Sequence, residues 1–331
     1  MIKNGNIFYD IKVDGWKRSM EKSCLINEEP TPQYPDMVDV LLTNKCNMGC
    51  RFCYLSCKPT GKGADWEFTY NYLKDNLPRY TELALGGGDL NEWKYTEKFI
   101  KLLREDAGFE SVNGTYHWNS MPETLNKGYY HYFTAMGISV VNGAQINRAD
   151  ACLMAVGYKG YVNWHIIVDM LRVDTIRRML ETIERLPESR RNVLLLGLKR
   201  SGKGAQIRRL HNECKVKEIF DLSKRYGINV HGDTKFIKDY LSYKCDPKDE
   251  EYVKRGLRRI GFTFEEPREG QYSMFINAVD RYMTASSSDL APIVRYPMTE
   301  TTELWRVFSD IRMKNGFRGF ESIDPNRFKR R

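Results

Sequence analysis

From Met37 onward the chain repeats a short apolar run followed by a helical pattern, and this rhythm limits the folds open to it. The runs are Met37–Leu42, Glu82–Leu85, Gly114–Trp118, Gly137–Val141, Tyr161–Val168 and Asn192–Leu198. The helical stretches are about Phe68–Asn76, Trp93–Asp106, Met121–Phe133, Ile146–Val156, Asp174–Arg185 and Gln206–Tyr226. Strands alternating with helices predict βαβ units and a parallel sheet. Apolar strands such as Val193–Leu196 predict that both faces of the sheet are covered.

Before this rhythm, residues 1–36 read as an N-terminal extension. Asn6–Asp14 alternates like a strand, and Pro30, Pro32 and Pro35 make an extended linker. After the core at 37–227, residues 228–331 read as a C-terminal α+β extension. Ile228–Asp233 fits one more strand, Glu250–Ile260 a charged helix, Tyr272–Met283 a strand or hairpin and Thr301–Lys314 a final helix. Arg327–Arg331 reads as a solvated tail.

Directly after the first apolar run, Cys46-Asn-Met-Gly-Cys50-Arg-Phe-Cys53 places three cysteines in a C-x3-C-x2-C spacing. A loop this short can turn three sulfurs towards one point, and thiolates select iron–sulfur clusters, zinc or cuprous copper. Structural zinc uses four ligands, usually in two separated pairs, and a ferredoxin cluster also wants a fourth cysteine. Cys57 is the nearby candidate, though it reads better as an exposed thiol. Cys152, Cys214 and Cys245 form no pair that would hold a second cluster. The alternatives are a cluster with one iron open to a ligand that is not protein, a partial zinc knuckle, or unrelated thiols.

The spacing resembles that of the radical S-adenosylmethionine (radical SAM) superfamily, with Phe52 at its aromatic position and Tyr54 after the third cysteine. The strand–helix count is the second line of likeness. The resemblance implies an α/β fold, a partial (β/α)6 radical SAM barrel over 37–227. It also implies a [4Fe–4S] cluster on Cys46, Cys50 and Cys53, with S-adenosylmethionine (SAM) chelating the fourth iron. Reductive cleavage of SAM would then give a 5′-deoxyadenosyl radical that abstracts hydrogen from a substrate. An electron donor such as flavodoxin or ferredoxin would be the partner.

Leu85-Gly86-Gly87-Gly88-Asp89 ends the second run, where ligand sites of parallel sheets gather. It stands where the family carries a Gly-Gly-Glu-type motif for the SAM amino group, and it departs from that motif in its acidic residue. A tight turn is the plain alternative. By the same resemblance, Asn119 and Ser139 are candidates for the SAM carboxylate and ribose. His165 and Lys199 are further cofactor-binding candidates, although a histidine inside Trp-His-Ile-Ile reads first as a core residue. Gly197–Gly204 nearly spells a phosphate-binding loop, but Gly204 replaces the Ser/Thr that would hold magnesium. Similar segments end the sixth strand of some radical SAM proteins, including uncharacterised phage-encoded ones without an auxiliary-cluster domain. With Arg200, Lys203, Arg208 and Arg209 it reads as an anion-binding rim or a solvated basic turn.

The chain carries 52 basic and 43 acidic residues among 331, net +9, which favours an anionic partner. A small or nucleotide-like anionic substrate is therefore the leading expectation. Peptide or nucleic-acid modification is the second, and a non-enzymatic metal-binding or electron-transfer protein the third. Eight cysteines without a framework argue against a secreted disulfide scaffold. No apolar signal region opens the chain and no apolar run reaches the roughly 18 residues that span a bilayer. The expectation is a cytoplasmic protein without a membrane partner.

Overall fold

The computed structural model describes residues 2–5, 7–14, 17–24, 31–207, 215–236, 239, 269–287 and 294–319. Arg208, Arg209, Cys214, Cys245, the expected helix Glu250–Ile260 and the tail Arg327–Arg331 lie outside the described residues. Three antiparallel strands come first: β1 (Ile2–Asn4), β2 (Ile7–Asp14) and β3 (Lys17–Cys24). A second sheet of ten strands then carries the rest.

Seven of its strands run parallel and lie side by side in chain order. They are β4 (Met37–Thr43), β5 (Glu82–Gly87), β6 (Ser111–His117), β7 (Ala135–Ser139), β8 (Tyr161–Ile167), β9 (Asn192–Leu196) and β10 (Asn229–Gly232). β11 (Ser273–Asn277) pairs parallel to β4 on its other side, followed by the antiparallel β12 (Tyr282–Thr284) and β13 (Tyr296–Pro297). Among the described residues β10 and β13 are the two edges, so the sheet is open and the barrel does not close.

Helices α1 (Trp66–Asn76), α2 (Thr96–Glu105), α3 (Met121–Asn126), α4 (Gly143–Ala155), α5 (Val173–Glu184) and α6 (Lys215–Tyr226) alternate with these strands, and α7 (Leu304–Lys314) comes last. An amphipathic face explains α5, where Ile176, Met179, Leu180 and Ile183 recur at helical spacing and are buried. α1 begins where the Asp65 carboxylate accepts from the Phe68 N–H at 3.3 Å. The stretch expected as one helix over Met121–Phe133 is two pieces, since α3 ends at Asn126 and Tyr129–Tyr132 forms a separate turn.

The sheet differs from the expectation of two covered faces. Val38 and Val40, Leu83 and Leu85, Val112 and Tyr116, Met136 and Ile138, Val162 and Trp164, and Val193 and Leu195 are buried in one core with the helices. The alternate positions, Asp39, Ala84, Asn113, Thr115, Asn163 and His165, are half-buried and face a cavity. A strand with polar residues at every second position can cover only one face with helices. Val193–Leu196 conceals this pattern because Leu194 and Leu196 face the cavity as apolar residues. No helix among the described residues is long and apolar enough to cross a membrane.

Candidate functional site

The loop that leaves β4 carries the cysteines and is closed by its own returning segment, residues 58–63. Asn44 N–H donates to the Lys62 carbonyl at 2.9 Å, Lys58 N–H to the Asn44 carbonyl at 3.2 Å and Cys46 N–H to the Lys58 carbonyl at 3.0 Å. Within it, Cys53 N–H reaches the Cys50 carbonyl at 3.3 Å and Ser56 N–H the Cys53 carbonyl at 3.2 Å. These bonds make a compact turn of a polar segment that has no regular strand or helix.

Two glycine segments hold the loop from either side. At the end of β5, Gly88 N–H donates to the Thr43 carbonyl at 2.6 Å and Asp89 N–H to the Lys45 carbonyl at 3.0 Å. A Cβ on Gly88 would lie 2.2 Å from the Lys45 carbonyl oxygen, so the missing side chain is what lets this backbone pass beneath the cysteine loop. Gly86 differs, because a Cβ there would meet Thr115 only at 3.6 Å, an ordinary contact.

From the other side, Lys203 N–H donates to the Cys53 carbonyl at 3.0 Å and the Ser201 hydroxyl to the Tyr54 carbonyl at 3.1 Å. Gly202 has φ +52°, and a Cβ on it would meet the Tyr54 carbonyl oxygen at 2.5 Å. The phosphate-loop-like spelling of Gly197–Gly204 thus has a local cause. Its turn lies against the third cysteine, and the Lys203 N–H serves that carbonyl.

One cavity of about 600 Å³ gathers most of the candidates, a size ordinary for small-molecule sites. Cys46, Cys50, Phe52, Cys53, Gly86, Gly87, Gly88, Asp89, Ser139, His165 and Lys199 all line it. Asn119 is exposed and is not among the lining residues; its N–H donates to His117 Nδ1 at 3.3 Å. Asp89 lies at the wall, but its carboxylate is engaged. Oδ1 accepts from the Asn91 N–H at 3.0 Å and Oδ2 from the Ser120 hydroxyl at 3.1 Å, while burial raises its pKa.

The thiols are electrostatically unlike. Cys53 is held at a pKa of about 6, first by a hydrogen bond from the Cys57 thiol and then by the Cys57 and Leu55 N–H groups and Lys203. Burial, followed by the neighbouring Cys46 and Cys53, pushes Cys50 up to about 11, and burial also raises Cys46. Cys57, expected as an exposed thiol, is buried and lines the cavity. Its N–H points at Cys53 Sγ at 3.4 Å, which turns it inward. Cys152 lies apart on α4. Among the described residues, no three His, Cys, Asp or Glu side chains are grouped to hold a metal ion as they stand.

Further round the wall, Lys199 Nζ donates to the Ser287 hydroxyl at 2.6 Å and lies 4.3 Å from the Tyr54 ring centre. The carboxylates Asp39, Glu82, Asp233 and Glu269 also line the cavity. Burial raises Asp233 to about 6, against the opposing effect of Lys199 and of the Gly197 and Phe236 N–H groups. Sequence reasoning missed all four carboxylates. A readable signal existed for Asp39, a charge at the centre of Val38-Asp39-Val40 in a strand otherwise apolar.

Comparison with protein-family models gives no match, and comparison with curated proteins gives none. Solved structures do match in fold. The crystal structure of Streptococcus suis SuiB bound to precursor peptide SuiA superposes with a TM-score of 0.58 at 12% identity, covering 84% of this chain and 65% of that one. Streptococcus suis SuiB in a second structure gives 0.53 at 12% identity, covering 83% and 66%. The likeness is one of fold, and this chain spans just under two thirds of the SuiB chain.

Two measurements check the geometry of the site. Gly88→Ala must displace the Lys45 backbone and is expected to destabilise the chain by about 1–3 kcal/mol, whereas Gly86→Ala stays within about 0.5 kcal/mol; denaturant midpoints distinguish them. Burial holds His165 at a pKa of about 4, below the ordinary value of about 6.5. Between those values the unfolded state binds the extra proton, so this contribution is full at neutral pH and lost as pH falls towards 4. The stability gap between wild type and His165→Gln should therefore shrink over that window; a constant gap would show that the imidazole is not buried.

Proposed function

We propose that this chain is a radical SAM enzyme with one [4Fe–4S] cluster on Cys46, Cys50 and Cys53. On this reading residues 37–227 form a partial (β/α)6 barrel extended by 1–36 and 228–331. The supporting observation is that three thiols of one short loop share a cavity with the Gly86–Asp89 strand end and Lys199. The donor chemistry suits the group, since thiolates are the ligands of such clusters. Cys50 feels the charges of both Cys46 and Cys53, which puts the three within electrostatic reach of one another.

When bound, the cluster and SAM supply the one-electron cleavage and the hydrogen-abstracting radical. The chain's own residues do the remaining work. The Ser201–Lys203 turn fixes the Cys53 backbone, and the Lys203 charge favours the Cys50 and Cys53 thiolates. Gly86 leaves room at the wall, and Ser139, Asn163 and His165 offer polar groups to the ligand. The helix-covered outer face of the sheet keeps bulk water from that side.

For the substrate, a peptide is supported by the fold shared with SuiB, whose structure holds a precursor peptide. A flavodoxin or ferredoxin is the proposed reductant.

Anaerobic reconstitution followed by iron and sulfide analysis tests the reading. About four irons per chain and reductant-dependent release of 5′-deoxyadenosine from SAM are expected. Replacing Cys46, Cys50 or Cys53 by Ala should abolish both. Tight zinc binding with no cleavage of SAM would exclude the proposal.

A further inference from the structure

Parallel barrels are ordinarily filled by layers of large inward side chains. Here Ala84 and Gly86 on β5 and Ala135 and Gly137 on β7 present almost no bulk to the interior. The cavity consequently runs from the cysteine loop down to Met37, Glu82, Ala135 and Ser273, the first residues of β4, β5, β7 and β11.

The lower part of this hollow is built from acceptors. Strand register sets Asp39, Ala84 and Asn113 side by side on β4, β5 and β6. At a strand spacing of about 4.8 Å, Ala84 floors a notch roughly 10 Å across between the other two. Asn113 Nδ2 donates to Glu82 Oε1 at 2.6 Å, and its Oδ1 is buried with no hydrogen-bond partner among the described residues. The Asp39 carboxylate likewise has no hydrogen-bond donor among the described residues. Burial raises its pKa, and the charges that act on it are Lys199 and, with the opposite sign, Glu269.

Lys199 is already occupied with Ser287 and the Tyr54 ring. Lys235, the other described lysine on the wall, is ion-paired with Asp239. Burial lowers the pKa of both His117 and His165. Against these stand Asp39, Glu82, Asp89, Asp233 and Glu269. A half-buried carboxylate without a hydrogen-bond donor carries a desolvation cost, and a ligand cation with N–H donors offsets it.

We infer that the notch formed by Asp39, Ala84 and Asn113 binds a cationic nitrogen of the substrate, a primary ammonium or a guanidinium, whose N–H groups donate to the Asp39 carboxylate and Asn113 Oδ1. The inference rests on reading the cavity as the substrate chamber of the proposed enzyme. It departs from the anionic substrate favoured by the net charge of +9, because the wall of the cavity does not share that surplus among the described residues. Asp39 precedes Thr43, the end of β4, by four residues, or roughly 13 Å along the strand. A ligand seated in the notch and reaching the cysteine loop is therefore extended.

Isothermal titration of the reconstituted full chain with n-butylammonium and n-butylguanidinium, against n-butyrate and n-butanol, tests this. Saturable binding is expected for at least one cation and not for butyrate or butanol. Asp39→Asn, which removes the charge, and Ala84→Leu, which fills the notch, should each weaken cation binding about tenfold or more. Butyrate binding as tightly as the cations, or cation binding that Asp39→Asn leaves unchanged, overturns the inference. 5′-Deoxyadenosine release by the wild-type chain is measured in parallel. A chain that cleaves SAM but takes up neither cation loses this inference alone. One that binds a cation through Asp39 but cleaves no SAM loses the proposed activity and keeps the subsite.

Discussion

Backbone hydrogen bonds across the cysteine loop are the constraint on which the site depends. A polar loop with no regular structure has no ladder of its own, so its carbonyls need outside donors. The Gly88 and Asp89 N–H groups serve Thr43 and Lys45 from the β5 side, and the Lys203 N–H serves Cys53 from the β9 side. Each approach is too close for a side chain at Gly88 or Gly202. Three segments far apart in sequence are thereby locked at the same end of the sheet, and the thiols face the interior as a consequence.

The second determinant is what the strands turn inward. A sheet whose outer residues are Val, Leu, Ile and Trp has its packing energy secured by the helices, at about 25 cal/mol for each Å² of apolar surface buried. The inner face is then free to carry small and polar residues. Ala84, Gly86, Ala135 and Gly137 leave it hollow, while Asp39, Asn113, Thr115, Asn163 and His165 make it polar. His165 lies over Gly137, where a Cβ would come within 2.4 Å of its ring, so even the small residues set the position of a neighbour. Stability and ligand chemistry are divided between the two faces of one sheet.

The parallel strands were legible because a period of two beside a period of 3.6 survives in short windows. The cysteine spacing, and the strand end at Gly86–Asp89, were legible because the residues concerned are neighbours in sequence. The strand β11 was visible only as a hairpin pattern, and its place beside β4 was not, since pairing between residues 37–41 and 273–277 leaves no local trace. The charge of Asp39 inside an apolar run is a visible signal, while its place on a cavity wall depends on strand register. Gly197–Gly204 reads in sequence as an anion-binding rim or a solvated basic turn, and its packing against the Cys53–Tyr54 backbone leaves no local trace because the two segments are far apart in the chain. Asn119 is two residues from His117 in sequence, yet the chain turns after β6 and leaves it exposed.

The site has one centre, a cavity of about 600 Å³ lined by the three cysteines of one short loop. Electron paramagnetic resonance of the reduced, iron-reconstituted chain addresses it most directly. A cluster with an open iron facing this cavity predicts a signal whose g-values shift when SAM is added. A spectrum identical with and without SAM would contradict the account.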